Sequence, residues 1–182
     1  MAKELLIYKK NILSPNVLNN ISERIMGDNF PWFFSKSTTF KTDKEEDYKI
    51  NYSWFHTLFF DGKINSDFYN VFYYPIMTIL ENFKQDMDDL IRIRIGLITT
   101  VNKPVINPPH IDSNDPHKVI LFYLNDSDGD TIFYKNDRKT QIKRITPVSN
   151  TAVFFNGDIP HSSSKPVNFK RRIVFNINLK TK

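Results

Sequence analysis

The chain reads as a mostly β protein with N-terminal helices packed on one face of a β-sandwich. Three observations lead there. Helical spacing of apolar residues is confined to two segments in the first half. From Leu90 onward the period changes to two. That second half is cut by turn residues into short runs rich in Val, Ile, Phe and Thr. At 182 residues the chain is long enough for one compact domain and too short to expect two. It is therefore taken as a single domain over 1–182, with 1–89 as a strand and helix support region and 90–179 as the β core carrying the site.

Taken in order, the first ten residues read as a first strand. Ser14-Pro15 opens a helix: a hydroxyl that can cap free N–H groups, then a proline at the first helical position. Val17, Leu18, Ile21 and Ile25 follow at helical spacing, and Gly27 can end it. The aromatic run 29–34, broken by Pro31, continues as a strand, and at that spacing Trp32, Phe33 and Phe34 are expected in the core. The charged segment 42–48 is expected as an exposed loop, and 54–60 as a buried strand. Asp61-Gly62 makes a turn, and a second helix runs from Ser66 to Phe83 with a kink or break at Pro75. Ile91, Ile93, Ile95 and Leu97 then face one way, with Arg92 and Arg94 between them. Further strands are expected over 118–124, 131–135, 141–145, 151–155 and 171–179. Asp128-Gly129 reads as a hairpin signal between the first two of these.

Composition excludes several classes. Apolar residues make up 40%, with 16 Phe and 8 Tyr, which a disordered chain lacks. No apolar run is long enough to span a membrane, and the first residues have no leader-like apolar core. Cysteine is absent, which removes disulfides, thiolate metal sites and cysteine nucleophiles together. Any metal is then held by nitrogen and oxygen, and a reducing cytoplasm is the expected location. The net charge of +5 suits an acidic ligand, but no basic run marks a nucleic-acid surface, so that role is not favoured.

Two short pieces can be halves of one metal site. Residues two apart on an extended chain share a face, so His110 and Asp112 can reach one ion while Ile111 turns inward. Pro108-Pro109 stiffens the approach. His161 lies in a proline-fixed turn at the exit of the strand over 151–155. Two imidazoles and one carboxylate form the facial ligand set of non-haem iron(II) sites, with other positions left open. A zinc hydrolase can use the same ligands, but it needs a general base, and no Glu stands near either half. His56 and His117 have no comparable carboxylate partner and are read as bystanders.

The pieces His110-Ile111-Asp112, Phe122-Tyr123-Leu124-Asn125, Gly157 to His161 and Arg172-Ile173-Val174-Phe175-Asn176 resemble the Fe(II)/2-oxoglutarate-dependent oxygenases of the prolyl-hydroxylase type. The likeness is greatest to small uncharacterised members found in phage genomes. It covers 90–179, with looser agreement at Phe30-Pro31-Trp32 and Asp61-Gly62-Lys63. The resemblance implies a double-stranded β-helix, or jelly roll, whose open mouth holds Fe(II) through His110, Asp112 and His161. It implies 2-oxoglutarate as cosubstrate and O2 as oxidant, with release of succinate and CO2. Tyr123 would donate its hydroxyl to the far carboxylate of 2-oxoglutarate, and a basic residue at the head of the last strand would pair with the same group.

Alternation favours Arg172 over Arg171 for that pairing. Arg172, Val174 and Asn176 share one face, and polar Asn176 suits a cofactor-lined mouth. Arg171 shares its face with apolar Ile173, Phe175 and Ile177. Where relatives have Asn before the His-x-Asp piece, this chain has Gly96, a lost contact that Thr99 or Thr100 can replace. The mobile parts of the mouth are expected at 106–117 and 135–140. The substrate implied is a protein or peptide side chain, with small molecules and nucleobases as other branches of the family. A phage-encoded protein would act in host cytoplasm. Two other classes stay open: a metal-free structural or binding jelly roll, and a basic nucleic-acid-binding module.

Overall fold

The computed structural model describes residues 6–37 and 51–181; the loop expected at 42–48 lies outside the described residues. Strand β1 (Leu6–Lys10) precedes helix α1 (Pro15–Met26) and the short strand β2 (Phe33–Ser35). Strands β3 (Ser53–Phe60) and β4 (Lys63–Ile64) form a hairpin, and helix α2 (Phe68–Asn82) follows. The remaining strands are β5 (Leu90–Thr99), β6 (His117–Tyr123), β7 (Thr131–Tyr134), β8 (Gln141–Ile145), β9 (Thr151–Asn156), β10 (His161–Ser163) and β11 (Arg171–Lys180).

These strands build two sheets, antiparallel at every pairing. The large one runs β1-β9-β6-β11-β5-β3-β2, with β4 added to β3, and the small one runs β10-β7-β8. The pleat divides each central strand between two cores. Ile120 and Phe122 of β6 and Ile173, Phe175 and Ile177 of β11 pack with Ile21 and Ile25 of α1 and with Phe72, Ile76 and Ile79 of α2. Their neighbours Val119, Leu121, Tyr123 and Val174, with Phe155 of β9, face the small sheet, where Phe133 and Ile145 meet them.

The helix signals act as the residues suggest. Ser14 accepts the Val17 N–H at the start of α1, and Gly27 ends it in an extended conformation. Helix α2 continues through Pro75 without the break that was one of the two expected outcomes there. Proline removes one helical hydrogen bond at a cost of about 3 kcal/mol. Here Pro75 is itself buried on the face that carries Phe72, Ile76, Ile79 and Leu80 into the core, and that packing offsets the loss.

Three other expectations are corrected. Phe33 and Phe34 are 55% and 57% exposed rather than in the core, because β2 is an edge strand paired only with β3. Strand β3 is mostly half-buried, with only His56 and Leu58 enclosed. Asp128-Gly129 does not turn a hairpin: β6 pairs with β9 and β11, β7 with β8 and β10, so this dipeptide carries the chain between sheets. The Asp128 carboxylate accepts backbone N–H groups from Val167, Asn168 and Phe169 instead.

The fully buried Phe175 packs edge-on against Phe72 and Phe122, with ring centroids 6.0 and 5.9 Å away, and so joins α2 to the middle of the large sheet. Phe175→Ala should therefore lower unfolding free energy by about 3–5 kcal/mol, read as a lower urea midpoint at unchanged slope.

Candidate metal centre

The segment before the His-x-Asp piece runs antiparallel to β10 and closes the site. His110 N–H donates to the His161 carbonyl and His161 N–H donates back, both at 2.9 Å. Asn107 N–H bonds the Ser163 carbonyl at 2.8 Å, and Lys165 N–H bonds the Val105 carbonyl at 2.9 Å. A directly opposed antiparallel pair projects its side chains from one face. The two imidazoles accordingly lie side by side, ring centroids 4.7 Å apart. One ligand atom each from His110, Asp112 and His161 lies within 4.8 Å of the others.

Hydrogen bonds orient these atoms. His161 Nδ1 faces the Ile159 carbonyl at 3.1 Å, and His110 Nδ1 faces the Pro108 carbonyl at 3.4 Å. Carbonyls only accept, so Nδ1 carries a hydrogen in both rings, and Nε2 is the ring atom left to face the carboxylate or an ion. Asp112 Oδ2 accepts from Asn176 Nδ2 at 3.0 Å and Asn178 Nδ2 at 2.8 Å, and lies 3.4 Å from Arg92 Nη2. Asp112 Oδ1 is turned to His110 Nε2, 3.6 Å away. One carboxylate oxygen is thus saturated and the other is offered with two imidazole nitrogens.

Burial alone would raise the Asp112 carboxyl, but His110, His161 and Arg92 more than offset it and hold it well below the usual range. Burial lowers His161 to about 4, against the opposing pull of Asp112. Both groups therefore rest near neutral pH in the protonation states a metal needs.

These residues line a cavity of about 190 Å³. Arg172, the second residue of β11, enters it and is 6% exposed, while Arg171 faces solvent. Its Nη2 donates to Thr131 Oγ1 at 2.9 Å, and its Nε has no hydrogen-bond partner among the described residues. Gly129 makes room for it: a Cβ there would stand 2.8 Å from the Ser164 carbonyl and 3.1 Å from Arg172 Cδ. Tyr123 is fully buried and gives its hydroxyl to Thr131 Oγ1 at 2.7 Å; burial pushes that phenol up to about 12. The group facing the cavity at this point is therefore Thr131 rather than Tyr123. A hydroxyl accepting two bonds still has one hydrogen to give.

Some expected contributors lie elsewhere. Asn176 lines the cavity, but its amide nitrogen is committed to Asp112. Thr99, Thr100 and the 135–140 turn contribute nothing to the lining, whereas Ser35, Ser37 and residues 53–55 do. His56 is a satisfied core histidine, 2.7 Å from both the Pro31 carbonyl and Ser66 Oγ. The His117 ring is stacked against Gly157, where a Cβ would meet Nε2 at 2.2 Å. Sequence reasoning missed Thr131, Asn178 and the engagement of Arg92 with Asp112. The alternation that picked Arg172 and Asn176 also reaches Asn178, so that residue was findable. Thr131 had no such signal.

No family model and no curated protein matches this sequence. Solved structures do match its fold. A prolyl-4-hydroxylase from Pseudomonas putida is 13% identical with a TM-score of 0.62, over 99% of this chain and 95% of that one. A prolyl hydroxylase from Trichoplax adhaerens, in complex with a hypoxia inducible factor peptide fragment, is 13% identical with a TM-score of 0.67, over 96% and 83%. HygX from Streptomyces hygroscopicus, with nickel, 2-oxoglutarate and hygromycin B bound, is 8% identical with a TM-score of 0.61, over 95% and 81%. The chain thus shares the fold of these two prolyl hydroxylases and of HygX along nearly its whole length.

The lowered His161 fixes a pH dependence. An unfolded chain protonates this imidazole near 6.5 and the folded one only near 4, so its contribution is fully present above 6.5 and is lost as pH falls towards 4. Urea unfolding of the metal-free protein should show about 2 kcal/mol less stability at pH 5 than at pH 7, and His161→Gln should remove that part of the difference.

Proposed function

We propose that this chain is an Fe(II)- and 2-oxoglutarate-dependent dioxygenase, a single double-stranded β-helix domain over 1–182 with its site in 90–179. The observation that carries this is one cavity holding two imidazoles turned by their Nδ1 contacts, a singly offered carboxylate oxygen and a buried arginine with donors to spare. His110, Asp112 and His161 would hold iron. The donor set fits, since neutral imidazoles and a carboxylate suit Fe(II), and each ligand is oriented from behind. When bound, iron and 2-oxoglutarate supply oxidative decarboxylation, with O2 consumed, succinate and CO2 released and one oxygen atom inserted into a substrate C–H bond.

The protein's share is orientation and charge. Arg172 would take the far carboxylate of 2-oxoglutarate as a charge-assisted pair, and the spare hydrogen of Thr131 would complete the grip. Tyr123 acts through Thr131: its hydroxyl fills one lone pair, Arg172 fills the other, and the remaining hydrogen is left to point into the cavity. Asn176 and Asn178 hold Asp112 and so belong to the metal side of the site. A hydrolytic reading is weaker, because Asp112 is the only carboxylate among the described lining residues and is already occupied. The substrate proposed is a protein or peptide side chain, by analogy with the two prolyl hydroxylases. A small molecule, as in the HygX complex, is the alternative.

Anaerobic thermal shift with Mn(II) and 2-oxoglutarate tests the reading against a metal-free scaffold. Filling the site at 100 times its dissociation constant should add roughly 2.7 kcal/mol. Asp112→Ala should abolish the response while keeping the circular dichroism of the folded chain. A wild-type protein that ignores both additions would rule out the oxygenase.

Arg172→Ala should leave metal binding intact and weaken 2-oxoglutarate by about 2–5 kcal/mol, roughly 30- to 4,000-fold. Thr131→Val should act in the same direction more weakly, both read by isothermal titration in the presence of Mn(II).

A further inference from the structure

The cavity holds more positive charge than this reading uses. Its described lining carries Arg92, Arg94 and Arg172 against the single carboxylate of Asp112. A divalent metal and a dianionic cosubstrate would cancel each other, so the surplus persists in the loaded site. Arg92 is engaged with Asp112 and Arg172 is assigned to 2-oxoglutarate. Arg94 is left over. Among the described residues it makes no hydrogen bond or close ion pair, and its buried Nε has no hydrogen-bond partner. The side chain is partly buried, and burial and the neighbouring Arg92 outweigh the pull of Asp112, so an acidic ligand would relieve it.

The position of Arg94 indicates where that ligand sits. In the β5 ladders Arg94 stands opposite Asn176, while the next residue on its face, Gly96, stands opposite Val174 on one side and Phe55 on the other. The Arg94 guanidinium lies over the Phe55 ring, 4.4 Å from its centroid, so the side chain leans along the strand towards Gly96. A Cβ built on Gly96 would meet nothing within 4 Å. The glycine therefore floors an open gap with a guanidinium at its edge, inside the cavity that holds His110 and Asp112. Stacking occupies only the flat face of a guanidinium and leaves its N–H fork free to donate in plane to a two-oxygen anion.

We propose that the substrate carries a carboxylate or phosphate group and that Arg94 receives it in the gap above Gly96. This rests on the assignment of Arg172 to 2-oxoglutarate, and it names the substrate class of the same site: an acidic molecule rather than a neutral side chain.

The test uses the full chain saturated with Mn(II) and 2-oxoglutarate and titrated by calorimetry with two matched pairs. These are N-acetylglutamate against N-acetylglutamine, and phenyl phosphate against phenol. In at least one pair the acid should bind about tenfold or more tighter than its neutral partner, and the pair that does so identifies carboxylate or phosphate. Arg94→Gln should bring the two within about twofold while leaving the affinities for Mn(II) and 2-oxoglutarate as they were. Gly96→Leu should weaken the same acid by filling the gap. The proposal is overturned if wild-type protein discriminates in neither pair, or if Arg94→Gln keeps the discrimination. It also falls if Arg94→Gln weakens 2-oxoglutarate, which would make Arg94 a cosubstrate contact. A protein that takes up neither Mn(II) nor 2-oxoglutarate before any acid is added fails at the underlying reading, and this proposal goes with it.

Discussion

The two-way backbone bridge between His110 and His161 makes one site out of distant pieces of chain. Loop closure over such a separation is entropically unfavourable and must be offset by contacts that hold the ends together. The bridge supplies them, reinforced by the Asn107–Ser163 and Lys165–Val105 bonds along the same seam. Pro108 and Pro109 fit this role. Neither has an N–H to leave unsatisfied, so the segment can pair on both sides of them and cross the gap without orphaned donors. A one-residue slip in this register would turn an imidazole to the opposite face, so the site depends on strand register as much as on ligand identity.

Strand β11 shows how stability and chemistry share the same residues without competing. One face, Ile173, Phe175 and Ile177, is given to the helix-side core, where burial of each large side chain contributes about 1.5–3 kcal/mol. The other face carries Arg172, Val174, Asn176 and Asn178, three of them polar and partnered across the cavity. Buried polar groups of this kind stabilise little on their own account. They can be accommodated because the pleat sends every second residue into a well-packed interior. Arg94 on β5 sits in the same arrangement, between Ile93 and Ile95, which are fully buried on the opposite face.

Legibility followed from how local each signal is. Ser14-Pro15 and the Ile21/Ile25 spacing specify α1 within a dozen residues, and its bounds fall where they imply. Period-two alternation separated Arg172 from Arg171 because burial of the opposite face is a property of the strand itself. The His-x-Asp piece and His161 could be paired from their chemistry, and the fold brings them within one ion's reach. Edge status could not be read this way. Phe33 and Phe34 have core-like composition, and only the strand order leaves them uncovered. Thr131 was illegible for a similar reason: its role comes from Tyr123 and Arg172, which reach it from two other strands.

Asp128-Gly129 is the most instructive misreading, because the dipeptide does matter to the site, by a route that turn statistics do not describe. Its aspartate gathers the backbone N–H groups of 167–169 and so fixes the chain just before Arg172 enters β11. Its glycine leaves the space into which the Arg172 side chain passes, against the Ser164 carbonyl and Pro166. The next residues continue the same work: Asp130 is held by Arg144, and Thr131 takes hydrogen bonds from Tyr123 and Arg172. Within four consecutive residues, Asp128, Gly129 and Thr131 thus set the approach, clearance and hydrogen bonding of one guanidinium. A hairpin would have needed only the backbone preferences of an aspartate and a glycine. Holding a buried cation in a chosen direction needs their side-chain oxygen and their missing Cβ.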